Sequence, residues 1–117
     1  MNPYEASQKT ESLCRLAPVI PVLVVDDANI AQPLAEALIK GGLTVLEVTL
    51  RTPSALQVIS EMAKVQGGVV GAGTITKASD VTDAINAGAQ FGVSPGSTDD
   101  ILEACEQKKL PILPGAA

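Results

Sequence analysis

Hydrophobic positions along this chain fall into short, nearly continuous runs separated by stretches with helical periodicity. The runs are PVIPVLVV (18–25), TVLEVTL (44–50), VVGAGT (69–74), FGVSPG (91–96) and PILPG (111–115). Their starts lie 26, 25, 22 and 20 residues apart, the length of a compact strand-plus-helix unit. Strands that are apolar on both sides are covered on both sides, so the pattern predicts a parallel sheet with helices on its faces.

The intervening segments carry helix signals. Residues 4–15 read as a short amphipathic lead-in helix. Asp27 or Asn29 is placed to cap a helix ending at Lys40, and Gly41-Gly42 supplies a left-handed exit. Thr52-Pro53 pairs a cap residue with a proline at the first helical position, opening a helix over about 53–64. A third helix is expected over about 77–87, leaving through Gly88. Ser97 with Asp100 resembles a capping box for a helix that runs to Lys108–Lys109. The helix-to-strand seam recurs in "LIKGGLTVLEVT" and "AINAGAQFGVSP", a weak internal repeat of the kind that a (β/α) barrel or a doubly wound sheet produces. The whole chain, 1–117, reads as a single domain: residues 1–16 hold the lead-in helix, and 17–117 hold four βα units and a fifth strand.

Composition narrows the chemistry. The chain has no histidine, which removes histidine-based acid–base catalysis and histidine metal ligation from within these residues. Cys14 and Cys105 match no metal or redox spacing and read as core fillers; free thiols suit a reducing compartment, and with no signal-like segment the expectation is a cytoplasmic protein. The net charge is −5, no basic stripe is present and aromatics are almost absent, so nucleic acid is not an expected partner. The longest apolar stretch, APVIPVLVV (17–25), is too short to span a bilayer and contains two prolines, so no membrane role is expected.

In parallel α/β folds ligands bind at the carboxyl ends of the strands. Here those ends hold Thr49, Arg51 and Thr52, then Gly71, Gly73 and Thr74, then Ser94-Pro95-Gly96, then Pro114-Gly115. Glu47 is the sharpest signal, because a carboxylate in mid-strand loses hydration and needs either a partner or a task. Period-two alternation puts Glu47, Thr49 and Arg51 on one face. A salt bridge to Arg51 is the structural alternative, but their Cα atoms lie roughly 13 Å apart along an extended strand. That separation leaves room for a small anionic ligand. Burial would raise the Glu47 pKa and the Arg51 charge would lower it, making a tuned acid/base. "GAGT" (71–74) lacks the third glycine of a dinucleotide fingerprint and suits a carboxylate or phosphate, met by backbone N–H groups and the Thr74 hydroxyl.

Taken together, "ALIKGGLTVLEVTLRT", "VVGAGTITKASD", "AGAQFGVSPGSTDD" and "LPILPGAA" closely resemble the bacterial 2-keto-3-deoxy-6-phosphogluconate (KDPG) and 4-hydroxy-2-oxoglutarate (KHG) aldolases. The resemblance covers nearly all of the chain after residue 15. It implies a (β/α)8 TIM barrel, represented here by about five strands and their helices. It also implies a class I aldolase of the Entner–Doudoroff pathway with a Schiff-base lysine, no metal or other cofactor, an oxo-acid substrate and a homotrimeric assembly. On the matching positions Glu47 becomes the general acid/base, Arg51 and Thr74 the groups that hold the substrate carboxylate, and Ser94 and Pro95 pocket wall. The family's Schiff-base lysine belongs to a sixth-strand "FKFFP"-like segment that these residues do not include, and none of Lys9, Lys40, Lys64, Lys77, Lys108 and Lys109 falls within an apolar run. The chain alone is therefore expected to be inactive. Its alternatives are a non-catalytic α/β half-barrel that binds small oxo-acids or phosphates, and another barrel aldolase.

Overall fold

A computed structural model describes residues 1–116. Five strands, β1 (Val22–Leu23), β2 (Val45–Thr49), β3 (Val69–Gly73), β4 (Gly92–Ser94) and β5 (Ile112–Pro114), form one sheet in sequence order. Every pairing is parallel. Helices α1 (Pro3–Cys14), α2 (Ala31–Lys40), α3 (Ala55–Met62), α4 (Ala78–Ala87) and α5 (Asp99–Lys108) alternate with the strands. The architecture is a partial α/β barrel, as the spacing of the apolar runs predicts.

The two sheet faces differ, and register shows how. Leu46, Val48, Val70 and Ala72 pack with Val58, Ile59, Met62, Val81, Ala84, Ile101 and Cys105 in the helix-facing core. Each large aliphatic side chain among them contributes roughly 1.5–3 kcal/mol on leaving water. The opposite face, which would be a barrel interior, holds Val45, Glu47 and Thr49 on β2, Gly71 and Gly73 beside them on β3, and Phe91 at the entry to β4. Val22 pairs with Glu47 on this inner face but is 60% exposed, and Val24, two residues on, is 55% exposed. The inner face is open on the β1 side.

Several local expectations shift by a residue or two, each for a tertiary reason. Thr52 does not cap α3; its hydroxyl donates to the Val25 carbonyl at 3.1 Å, and the helix begins at Ala55 with Ser54 at the cap position, its hydroxyl donating to the Asp26 carbonyl at 2.7 Å instead of capping. Ser97 does not cap α5, because its hydroxyl donates to the Gly115 carbonyl at 2.8 Å; Thr98 takes the cap and accepts from the Ile101 N–H. Asp27 caps a single 3-10 turn over Ala28–Ile30 that leads into α2. Of the Gly41-Gly42 pair only Gly42 is left-handed, with φ 100°. Cys105 is buried, with its thiol pushed up to about 11 by burial, whereas Cys14 is exposed rather than a core filler.

Candidate active site

The carboxyl ends of the strands converge on one end of the sheet. Glu47 sits at the middle of β2, in register with Gly71 and two residues before Thr49 pairs with Gly73. It is 8% exposed, and among the described residues no donor is hydrogen-bonded to its carboxylate. The ion pair with Arg51 that would have explained it structurally is absent. Strand β2 ends at Thr49, and Leu50 and Arg51 belong to the turn that follows, leaving Arg51 exposed. The Arg51 charge still acts on Glu47, but it is outweighed: burial raises the carboxyl pKa above its ordinary value and Arg51 lowers it less. A buried acid with no structural partner, biased towards its protonated form, is suited to proton transfer.

The side-chain space left by the glycines of "GAGT" is filled from within the chain. A Cβ built on Gly73 would meet the Glu47 side chain, lying 2.8 Å from Cδ and 2.9 Å from Cγ. One built on Gly71 would lie 2.5 Å from the Phe91 ring. The carboxylate therefore lies across bare backbone on β3, above an aromatic floor.

Thr74, which follows, has φ 60°. A β-branched residue in the left-handed region is a true outlier, with a cost of about 1–3 kcal/mol, and such strain collects at functional sites. No sequence signal marks this strain; a glycine would have advertised it. The position is held by hydrogen bonds on both sides, Leu50 N–H to the Gly73 carbonyl at 2.9 Å and Ile75 N–H to the Val93 carbonyl at 3.1 Å. Thr74→Asn, which tolerates this conformation, is expected to raise stability by about 1 kcal/mol in chemical denaturation. A loss of stability would show that contacts of the threonine side chain, not its backbone strain, decide the position.

Ser94 ends β4. Alternation from Gly92 directs its side chain to the helix-facing side, where its hydroxyl is buried without a hydrogen-bond partner. Pro95 is exposed at the mouth, and its backbone packs so closely on Gly115 that a Cβ there would lie 2.5 Å from the Pro95 carbonyl carbon. The loops after β4 and β5 thus form one continuous rim, tied by Gly115 N–H to the Ser94 carbonyl at 2.8 Å. All six lysines are exposed, on helices or beside them, and none faces Glu47. Among the described residues no cluster of His, Cys, Asp and Glu is placed to hold a metal ion, and no helix is long and apolar enough to cross a membrane. A cavity of about 750 Å³ lies at the opposite, amino end of the strands, between α1 and residues such as Gln90 and Pro111, and it includes none of these site residues.

A buried, unpaired acid on the inner face of a partial parallel α/β barrel, beside a strained threonine at the strand ends, marks this end of the sheet as the candidate site of a barrel-type fold. The family model described as KDPG and KHG aldolase matches residues 10–117. The chain belongs to the KDPG and KHG aldolase family. It is 53% identical over 107 residues to the 2-dehydro-3-deoxy-phosphogluconate aldolase of Zymomonas mobilis, covering 92% of this chain and 51% of that protein. It is 44% identical to the KHG/KDPG aldolase of Escherichia coli K12, covering 90% and 50%. Among solved structures, the Z. mobilis aldolase with 3-phosphoglycerate superposes with a TM-score of 0.91 at 52% identity, covering 94% of this chain and 53% of that one. The Legionella pneumophila KDPG aldolase, with pyruvate captured as a covalent carbinolamine intermediate, does so with a TM-score of 0.86 at 41% identity, covering 91% and 52%. The chain spans about half the length of the curated relatives it matches.

Proposed function

We propose that these residues are the amino-terminal half of a class I aldolase that cleaves 2-dehydro-3-deoxy-6-phosphogluconate to pyruvate and glyceraldehyde 3-phosphate. A second activity on 4-hydroxy-2-oxoglutarate, giving pyruvate and glyoxylate, accompanies it. The observation that carries the reading is Glu47, buried on the inner face without a structural partner. A lysine outside residues 1–117 forms the Schiff base with the keto carbon, and the iminium accepts the electron pair of the C3–C4 bond as it breaks. Glu47 moves the protons: it takes the proton of the C4 hydroxyl as that bond opens and returns one to the enamine carbon, after which water hydrolyses the resulting iminium, freeing the lysine amine and pyruvate. Arg51 and Thr74 hold the substrate carboxylate at the mouth and Pro95 forms its wall; Ser94, whose hydroxyl turns to the helix-facing side, contributes only backbone to that wall. The carbinolamine formed by pyruvate in the L. pneumophila relative supports the covalent route. The exposure of Val22 and Val24 supports further strands closing over the inner face. The relatives' metabolic role supports a cytoplasmic enzyme, and the reading extends to a homotrimer.

The test is borohydride trapping with pyruvate. The 117-residue chain is expected to keep its mass, whereas the protein encoded by the complete reading frame gains a reduced pyruvyl adduct that maps outside residues 1–117. An adduct on any of the six lysines here would overturn the assignment.

A further inference from the structure

We infer that Gly73 is a positioning residue for Glu47: the missing side chain on β3 is the space that the carboxylate occupies, and it fixes where the acid points. The inference rests on the acid/base reading of Glu47. Its grounds are geometric. The three atoms nearest to a Cβ at Gly73 all belong to Glu47, and Cγ, Cδ and Oε2 are each too close to coexist with it. Gly73 has no left-handed φ, so its backbone does not require glycine; among the described residues the positive-φ glycines are Gly42, Gly67 and Gly88. The requirement is for empty volume, and the group that fills it is the acid.

The neighbouring glycine completes the seat. Gly71 is the lateral partner of Glu47, and its empty position is filled by Phe91, which is fully buried. On the other side β1 presents Val22. No titratable group faces Glu47 from β1 or β3, and Arg51 just beyond the end of its own strand is the charge that acts on it. The apolar floor removes water beneath the carboxylate, and the bare stretch at Gly73 directs it along the sheet towards Thr74 and the strand ends. A Cβ at Gly73 leaves the backbone intact and forces the carboxylate to swing out into the open half of the inner face. A displacement of about 1 Å at a reacting group is enough to lower turnover on the order of a hundredfold.

The experiment compares Gly73→Ala, Glu47→Ala and the double variant with the parent, in the protein encoded by the complete reading frame and in this chain. The Glu47 titration is followed by its carboxyl 13C shift. In Gly73→Ala the titration midpoint is expected to fall towards the ordinary glutamate range as the acid reaches water. Turnover is expected to drop on the order of a hundredfold, with KM for the oxo-acid changed little. Any melting temperature lost in Gly73→Ala is regained in the double variant relative to Glu47→Ala, because the atoms nearest to the added Cβ all belong to the Glu47 side chain. Gly73→Ala failing to fold while the double variant folds supports the inference equally. An unmoved Glu47 midpoint, equal melting losses with and without Glu47, or failure of both variants to fold overturns the inference. Unimpaired turnover in Glu47→Gln would remove the acid/base reading instead and leave the seat intact, because the titration and melting readouts require no catalysis.

Discussion

Glu47→Gln is expected to lower turnover of the complete enzyme by roughly 10²–10⁴-fold while this chain melts higher than its parent at neutral pH. The two effects have one cause. Burial raises the folded-state pKa of Glu47 above that of the unfolded chain, so the folded state holds the proton more tightly. Below the ordinary glutamate pKa, about 4.3, both states are protonated and the stabilising contribution is fully present. As pH rises through the folded-state value the desolvated anion must be carried by the fold, and that contribution is lost. Glutamine is neutral throughout and similar in shape, so its variant lacks this decline. The melting temperatures should therefore coincide in acid and separate as pH rises through this window, with Glu47→Gln the more stable. Melting followed from about pH 3 to about pH 8, a range that brackets the ordinary glutamate pKa, checks the sign. A Glu47→Gln chain that melts lower at every pH would mean that the carboxylate holds the fold together, and a buried ion pair would regain its place as the explanation.

Phe91→Ala is expected to carry the largest stability cost of any single side chain here, about 3–5 kcal/mol. It is the chain's one phenylalanine, it is fully buried, and its ring fills the position vacated by Gly71. Against a total stability of about 5–15 kcal/mol, such a loss brings the chain close to unfolding. The cavity would also open beneath Glu47, admitting water and bringing its pKa down. Urea denaturation measures the first effect, and a parent-like midpoint would show that the ring is not packed as described. Phe91→Leu, which restores most of the volume, should recover the greater part of the loss.

The order and type of the five strands and five α-helices were legible in the chain because strand and helix follow from burial, and burial follows from the spacing of apolar residues; the 3-10 turn over Ala28–Ile30 was not. Glu47 was legible for the complementary reason: a charge within an apolar run demands an explanation. What the linear pattern could not show were the decisions made across strands. Alternation carried Arg51 onto the face of Glu47, yet β2 stops at Thr49 because the chain turns there towards α3. Thr52 and Ser97 looked like caps, but each hydroxyl is taken by a carbonyl from a distant loop, 27 and 18 residues away. Gly71 and Gly73 read as room for a ligand and are room for Phe91 and Glu47. The strain at Thr74 left no trace in residue type at all.

The sequence by itself thus determined the parallel βα order, the aliphatic core and the presence of a solitary acid in β2, since these depend on residue type and spacing along one segment. Only the tertiary structure decided that the acid is unpaired, that a neighbouring strand makes space for it, and that a threonine beside it is held in a left-handed conformation. Those features depend on which atoms from separate segments compete for the same volume, and no single segment contains that information.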